Sequence, residues 1–390
     1  MSAESTERSL HLPTSWEVLT SGSERVLVSM DLGSILDKGC ARDWETVDAD
    51  EVDPVRFAVV GIGWFTRERV LPALTDSDRC EPTVLVSSTA KKAGQVADET
   101  PGARRGISYD EFHEGAASDE YDAVYVCTPN ALHLPYIETA AELGKAVLCE
   151  KPIERDSDRA RESIDVCNDG GVPLMIGYRM HTEPAVRRMK EIVQEGLVGD
   201  PVEVHGMMTQ RLLDRIDPNP DQWRLDEELA GGGALFDIGL YPLNTTRFVL
   251  DKDPVAVTGR TRSTHDAFDE VDETVTATVE FPGEVYATCA ASHNARQSST
   301  LRITGTEGQV AVDPAFFQDQ QRTLHISRGD GRMSIDLGKV DQMREEFDYF
   351  ADRVRAGESI YPDGKHALLD IETMETIYEA TSERQWRSLS

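Results

Sequence analysis

From Val55 onward the hydrophobic pattern alternates between two textures. "VRFAVVGIG" is a nearly unbroken apolar run that ends in glycines, and "EPTVLVSS", "YDAVYVCTP", "KAVLCEKP" and "VPLMIGYR" repeat the form. Such short, β-branched runs read as buried strands, and the stretches between them, such as "TRERVLPALTD" and "LHLPYIETAAELG", read as helices. Apolar strands alternating with helices predict a parallel sheet covered on both faces, a doubly wound domain over 54–178. After "TEPAVRRMKEIVQEGLVG", a helix ended by glycine, the period changes. "VEVHGMMTQ", "VAVTGRTR", "TVTATVEF", "EVYATCAAS", "TLRITGTEGQVAV", "TLHISRG" and "MSIDLG" alternate or carry β-rich residues between Gly turns. They predict a mostly antiparallel sheet with one packed face and one free for another surface. "EEFDYFADRVRAG" and "HALLDIETMETIYEA" close the chain as helices. The expected class is α/β: a doubly wound N-terminal domain, then a second α/β domain over 179–390 with an open, mostly antiparallel sheet. Residues 1–53, acidic, weakly periodic and rich in Ser and Asp, read as an arm. Met30 within it offers an alternative start of translation.

Length agrees with two domains, since single cores stop growing at roughly 250–300 residues and this chain has 390. No apolar run reaches the roughly 20 residues that span a bilayer. The N-terminus lacks a basic flank followed by an apolar block, so the expected location is the cytoplasm. Charge changes the picture more. With 71 acidic against 40 basic residues, only nine of them lysine, the net charge is −31. Such a surface repels nucleic acid and anionic membranes, and its self-repulsion is screened at high ionic strength, which points to a salt-adapted protein. Cys40, Cys80, Cys127, Cys149, Cys167 and Cys289 lie far apart and read as reduced, mostly packed thiols. The histidines are scattered too, so no metal site is expected.

Candidate chemistry gathers at strand ends. Gly61 and Gly63 of "GIGWFT" end the first strand and open a helix, where a dinucleotide pyrophosphate meets bare backbone and helix N–H groups; Trp64 and Phe65 belong to the same loop. The third fingerprint position is Thr66 instead of Gly or Ala, which leaves the packing of that turn open. At the end of the second strand stand Ser87 and Ser88, with Lys91 and Lys92 beyond, where NAD-selective enzymes place a carboxylate. Hydroxyls and an ammonium suit a 2′-phosphate, so NADP is favoured; the alternative is that the lysines are merely solvated. Thr128, Pro129 and Asn130 follow another strand, Asn130 offering an amide to the cofactor or serving as a helix cap. Glu150, Lys151 and Pro152 follow the next. Alone they are an ordinary charged turn, but at this sheet edge the proline biases Lys151 toward an extended backbone and a place in the cleft. In "GGGALFDIGLYPLN", Asp237 and Tyr241 are four apart and share a face if the segment is helical.

The ordered set G-x-G, "TPN..H", "EKP", "GYR..H.P", "G..G.P" and "GGG.L.D.G.Y" resembles the Gfo/Idh/MocA oxidoreductase family over residues 55 to about 385. "YRMHTEPA", "DQWRLD" and "DIGLYPLN" are similar to its glucose-fructose oxidoreductase and pyranose dehydrogenase branch and, with the acidic composition, to the NADP-dependent D-xylose 1-dehydrogenases of halophilic archaea. The resemblance implies a Rossmann domain, NADP, and oxidation of an aldose at C1, D-xylose first, in pentose catabolism. Lys151, Tyr241 and Asp237 would be catalytic, with Tyr241 taking the C1 hydroxyl proton beside the Lys151 ammonium, or Lys151 acting as the base itself. His133, Glu150 and Arg179 would join the cofactor site, and Tyr178, His181, Trp223 and Arg224 would line the sugar. The family also implies a homo-oligomer through the second sheet. Glucose or another pyranose, glucose-fructose disproportionation and a dihydrodiol are the alternative substrates, and an NADP-binding sensor without catalysis is the alternative of another class.

Overall fold

The computed structural model describes residues 32–389. β1 (Val55–Val60), β2 (Cys80–Ser87), β3 (Arg105–Ser108), β4 (Ala123–Val126), β5 (Ala146–Glu150) and β6 (Leu174–Gly177) form one all-parallel sheet in the order β3-β2-β1-β4-β5-β6. Successive side chains of β1 go to opposite faces, and both faces are covered. Ala58 and Val60 join one core, while Phe57 and Val59 meet Phe347 and Phe350 of the helix Gln342–Ala356 on the other. That helix follows all but the last strand of the second sheet in the chain yet packs on the first. β3 is a strand the apolar pattern does not announce: "RGIS" buries only Ile107, so it carries no apolar run. The strand order reverses beside β1, and the carboxyl ends of β1, β4 and β5 open into one crevice, the place where such sheets bind ligands.

The second sheet has nine strands. They are β7 (Pro201–Arg211), β8 (Ala256–Arg262), β9 (Thr274–Phe281), β10 (Val285–Ser292), β11 (Asn294–Gly305), β12 (Gly308–Asp313), β13 (Thr323–Arg328), β14 (Gly331–Asp336) and β15 (Arg387–Ser388), ordered β14-β13-β12-β11-β7-β10-β9-β8-β15. Pairing is antiparallel except between β7 and β10. On β9, Val275, Ala277, Val279 and Phe281 are buried, while Thr274, Thr276, Thr278 and Glu280 alternate outward. One face therefore packs on the helices Pro184–Gln194, Leu240–Leu250 and Gly364–Glu383.

The described part of the N-terminal arm is packed. The helix Leu32–Asp37 buries Leu32, Ile35 and Leu36. Arg42 pairs with Glu345 at 2.7 Å and Asp348 at 2.6 Å, and Asp352 accepts the N–H groups of Thr46 and Val47 at 3.0 and 3.1 Å. These contacts strap residues 42–47 onto the helix Gln342–Ala356. Met30 lies outside the described residues. All six cysteines are free, four of them buried. Among the described residues no helix is long and apolar enough to cross a membrane.

Candidate active site

The crevice starts where β1 ends. Gly61 has φ +94°, and a Cβ there would stand 2.1 Å from the Cys127 carbonyl oxygen, so no other residue fits between β1 and the end of β4. At Gly63 a Cβ would meet nothing within 4 Å, which leaves the backbone open to a ligand. Thr66, the departure from the fingerprint, is fully buried and donates its hydroxyl to the Gly61 carbonyl at 2.5 Å. The helix accommodates it by opening as a π-helical turn over Thr66–Val70. A side-chain hydrogen bond thus closes the turn that a small residue closes elsewhere.

At the end of β2, Ser87 is buried with no hydrogen-bond partner for its hydroxyl among the described residues, whereas Ser88, Lys91 and Lys92 are exposed. Thr89 caps the helix Ala90–Glu99 by accepting the N–H of Lys92 at 3.2 Å. Among the described residues neither lysine has an ion-pair partner. At the end of β4 the Thr128 hydroxyl is likewise buried and without a partner among the described residues, and Thr128 lines the crevice. The open backbone at Gly63, the two orphaned hydroxyls and the unpaired lysines fit a phosphorylated dinucleotide such as NADP.

Asn130 lines the crevice but does not cap a helix. Its Nδ2 donates to the Ala230 carbonyl at 2.8 Å, tying the β4 loop to the turn before the "GGG" segment. His133 is buried between the carbonyls of Ile153 and Thr128, at 3.1 and 3.0 Å, and clamps two loops without reaching the crevice. Glu150 accepts the Tyr125 hydroxyl at 2.7 Å, which aims it along the crevice wall.

Lys151 and Pro152 follow β5, and the "GGG" segment swings across to meet them. Gly231, at φ +77°, passes so close to Arg155 that a Cβ would lie 2.2 Å from its carbonyl oxygen. Asp272 then accepts the N–H groups of Gly233 and Leu235 at 2.9 and 3.0 Å and the Tyr378 hydroxyl at 2.5 Å, fixing the start of the helical run that carries Asp237 and Tyr241. That run begins as a π-helical turn, Leu235–Gly239, and continues as the helix Leu240–Leu250. Both side chains face the crevice. Lys151 Nζ donates to the Asp237 carbonyl at 2.8 Å and lies 3.6 Å from its carboxylate. Arg224 Nε, at 3.7 Å, and His293 Nε2, at 3.4 Å, approach the other carboxylate oxygen. Burial works against the charge on Asp237, but Lys151, Arg224 and His293 outweigh it and hold the carboxyl below its ordinary range. Burial also holds His293 below the usual histidine range, against the pull of Asp237 and Asp272.

Tyr241 stands between two cations. Lys151 Nζ is 5.0 Å and the Arg179 guanidinium 4.6 Å from its ring centroid, and Arg179 Nε donates to the phenol oxygen at 3.0 Å. Arg179, expected on the cofactor, thus holds the phenol. The cavity they line measures about 330 Å³, and Trp64, Phe65, Trp223 and Arg224 also border it. Tyr178 and His181 do not. Tyr178 lies behind Tyr241, and His181 stacks on Phe248 at 4.1 Å and meets Asn244 at 2.8 Å, inside a buried network with His366, Asp370 and Arg247. "GYR..H" placed these residues near the site in sequence, but the chain turns and buries the histidine. Sequence reasoning missed Arg69, Gln210, Gln297, Phe317, Gln318 and Asp319 on the crevice, together with His293 and Asp272 behind it. They come from distant strands and loops, and only the fold brings them together.

Residues 55–178 match the family model described as an oxidoreductase family with an NAD-binding Rossmann fold, and residues 186–311 match the GFO/IDH/MocA C-terminal domain. The chain belongs to the Gfo/Idh/MocA oxidoreductase family. Within this family it is 52% identical over 341 residues, 87% of the chain and 94% of the relative, to a protein named D-xylose 1-dehydrogenase [NADP(+)] from Haloarcula marismortui. A D-xylose 1-dehydrogenase (NADP(+)) of Haloferax volcanii is 30% identical over 83% of the chain and 96% of its own length. Among solved structures, the aldose-aldose oxidoreductase of Caulobacter crescentus complexed with glycerol superposes with a TM-score of 0.81 at 28% identity, covering 86% of this chain and all of the other. A 3-ketoreductase from Actinomadura kijaniata in complex with NADP and TDP-benzene gives 0.73 at 25% identity, over 84% and 98%. The parallel Rossmann sheet and the open, mostly antiparallel second sheet are the architecture expected from the sequence.

Proposed function

We propose that the protein oxidises D-xylose, and related aldoses less well, at C1 with NADP, giving the sugar lactone, and that Tyr241 takes the proton. The observation that carries the reading is the phenol of Tyr241 on the ligand edge of a Rossmann sheet, its oxygen bonded by Arg179 at 3.0 Å and its ring beside Lys151. The 52% identity to a D-xylose 1-dehydrogenase supports the substrate. NADP, when bound, supplies the hydride acceptor. Ser88 and Lys92 would meet the 2′-phosphate, the Gly63 backbone and the Thr128 hydroxyl the rest of the cofactor. The sugar would lie between Trp223, Arg224 and Asp237 on one side and Tyr241 on the other. As C1 loses its hydride, Tyr241 accepts the hydroxyl proton, and the carbonyl of the lactone forms. Arg179 Nε donates to the phenol oxygen and Lys151 lies beside the ring, so both positively charged side chains flank the group that would take the proton. Lys151 Nζ donates to the Asp237 carbonyl at 2.8 Å, which supports the phenol as the proton acceptor. The reaction would stand at the entry of pentose catabolism, in the cytoplasm, and the outer face of the second sheet would join subunits into a homo-oligomer.

A panel of aldoses assayed with NADP and NAD in molar salt tests this. The expected result is the highest kcat/KM for D-xylose with NADP, and a loss of 10²-fold or more in kcat for both Lys151→Met and Tyr241→Phe. A protein that binds NADP and turns over no aldose refutes the reading.

A further inference from the structure

Arg179 does not stand alone behind the phenol of Tyr241. Its Nη1 donates to Oε1 of Gln342, the first residue of the helix Gln342–Ala356, and Nε2 of that amide donates to Oε2 of Glu183. The orientation of the amide is dictated chemically. A guanidinium has only donors and an ionised carboxylate only acceptors, so the amide oxygen must face Arg179 and the nitrogen Glu183. Glu183 lies 3.3 Å from Nε of Arg322, and Arg322 donates to three carbonyls of one segment: Ala315 at 3.2 Å, Phe317 at 2.7 Å and Gln320 at 2.5 Å. All four linked side chains are less than a tenth exposed. The path begins on the catalytic hydroxyl and ends on the backbone of residues 315–320.

That segment forms part of the crevice. Phe317, Gln318 and Asp319 line it, and the Phe316 ring lies 6.0 Å from that of Tyr241. Gln318 has an Nε2 that is buried and lacks a partner among the described residues, a donor in want of an acceptor such as a sugar oxygen. Glu346, one turn after Gln342, is fully buried, and both its oxygens lack a partner among the described residues. Burial, and after it the charge of Glu150, push its carboxyl well above the ordinary range. Its charged form is thereby disfavoured, and the hydrogen bond of Arg179 Nη1 goes to Gln342.

We propose that Arg179–Gln342–Glu183–Arg322 is a positioning chain that couples the seating of a sugar on residues 315–320 to the alignment of the Tyr241 hydroxyl, with Gln342 as its central positioning residue. The proposal rests on the aldose-oxidising reading for its substrate and on geometry for the chain itself. The two links through Gln342 are buried, charge-assisted hydrogen bonds, each with one permitted direction, and Glu183 meets Arg322 as a buried ion pair at 3.3 Å, so displacement at one end is transmitted instead of absorbed by rotation.

Two measurements on the full-length protein in molar salt separate these parts. Hydrogen exchange needs no turnover: Gln342→Met, of similar volume but without donors or acceptors, should exchange the amides of residues 315–320 at least fivefold faster than the parent, with the parallel sheet unchanged. Unchanged exchange in that segment overturns the chain. In steady-state assays with D-xylose and NADP, Gln342→Met should lower kcat about tenfold with KM for the sugar within twofold. Arg322→Lys, which keeps the charge but loses the three-carbonyl grip, should raise that KM at least fivefold with kcat nearly kept. The double variant should lose less in kcat/KM than the product of the two losses, because both cut one path. Losses that multiply overturn the coupling. If Gln342→Met does not fold, Gln342→Asn, too short to touch both partners, gives the same readings. A parent that oxidises no aldose counts against the substrate reading alone, and the exchange result then decides the chain.

Discussion

Arginine can only donate, and that one property orders the chemistry at Tyr241. With Arg179 Nε bonded to the phenol oxygen, the hydrogen of Tyr241 must point elsewhere, and the deprotonated form keeps a charged donor 3.0 Å away. Arg179→Met should therefore lower kcat tenfold or more while leaving the KM for NADP within twofold, since the side chain meets the phenol. A loss confined to the NADP KM would return Arg179 to the cofactor. The residue expected to speak for the cofactor is Lys92, exposed and without an ion pair among the described residues beyond the end of β2. Lys92→Ala should raise the KM for NADP at least fivefold and leave that for NAD unchanged, a comparison that steady-state kinetics with both cofactors makes directly. Equal effects on both would mean that the lysine is only a solvated helix residue.

Two elements begin with a π-helical turn, and each carries chemistry at its start. In the first, the Thr66 hydroxyl holds the Gly61 carbonyl and lets a larger residue occupy the third fingerprint position. In the second, Asp272 accepts three donors and so fixes the turn from which Asp237 and, one helical turn on, Tyr241 project. Asp272→Ala leaves those donors unpaired inside the protein, a cost of roughly 2–4 kcal/mol. The thermal midpoint should fall by about 2–5 °C and kcat with it. A midpoint unchanged by calorimetry would show that water replaces the carboxylate freely. The strand ends bearing Gly61, Thr128 and Lys151 were legible because apolar runs announce buried parallel strands and ligands gather where those runs stop. Asp272 was not, since an acidic residue in a polar loop some 35 positions from Asp237 carries no local signal. β3 escaped for a similar reason, a short edge strand with one buried side chain.

For the whole molecule, charge and buried histidines set the conditions of stability. A net charge of −31 repels itself in dilute buffer, and the Debye length falls to about 3 Å at 1 M salt. Activity and thermal midpoint should both rise between 0.1 and 2 M KCl; a midpoint that falls steadily with salt would exclude salt adaptation. His181, His293 and His366 are all held below the usual histidine range, burial being the first cause for each, with His366 pushed down to about 2. In the unfolded chain they titrate near 6.5. Below that pH the unfolded state binds protons that the folded state refuses, so stability rises with pH up to about 6.5 and is lost as pH falls through the window beneath it. The thermal midpoint at fixed high salt should drop between pH 7 and pH 5 and stay level just above 7.

Local patterning by itself determined the two sheets, the order of their strands along the chain with β3 and β15 excepted, the glycine loop, and the places of Lys151, Asp237 and Tyr241. Each of these rests on spacing within one element or on the apolar period that decides whether a strand is buried on one face or two. What only the tertiary structure decided is which side chains meet. His181 sits beside the same strand end as Arg179, yet one is buried on Phe248 and the other bonds the phenol, because the turn after β6 sends them to opposite sides. His133 becomes a clamp between loops, and Asn130 a tie to Ala230, through contacts made across 20 and 100 residues. Gln342 and Glu183, 159 residues apart, share a hydrogen bond inside the protein. Sequence spacing holds no information about such pairs: their partners are set by how the helix Gln342–Ala356 returns to the first sheet, a long-range packing choice made by Phe347 and Phe350 against Phe57.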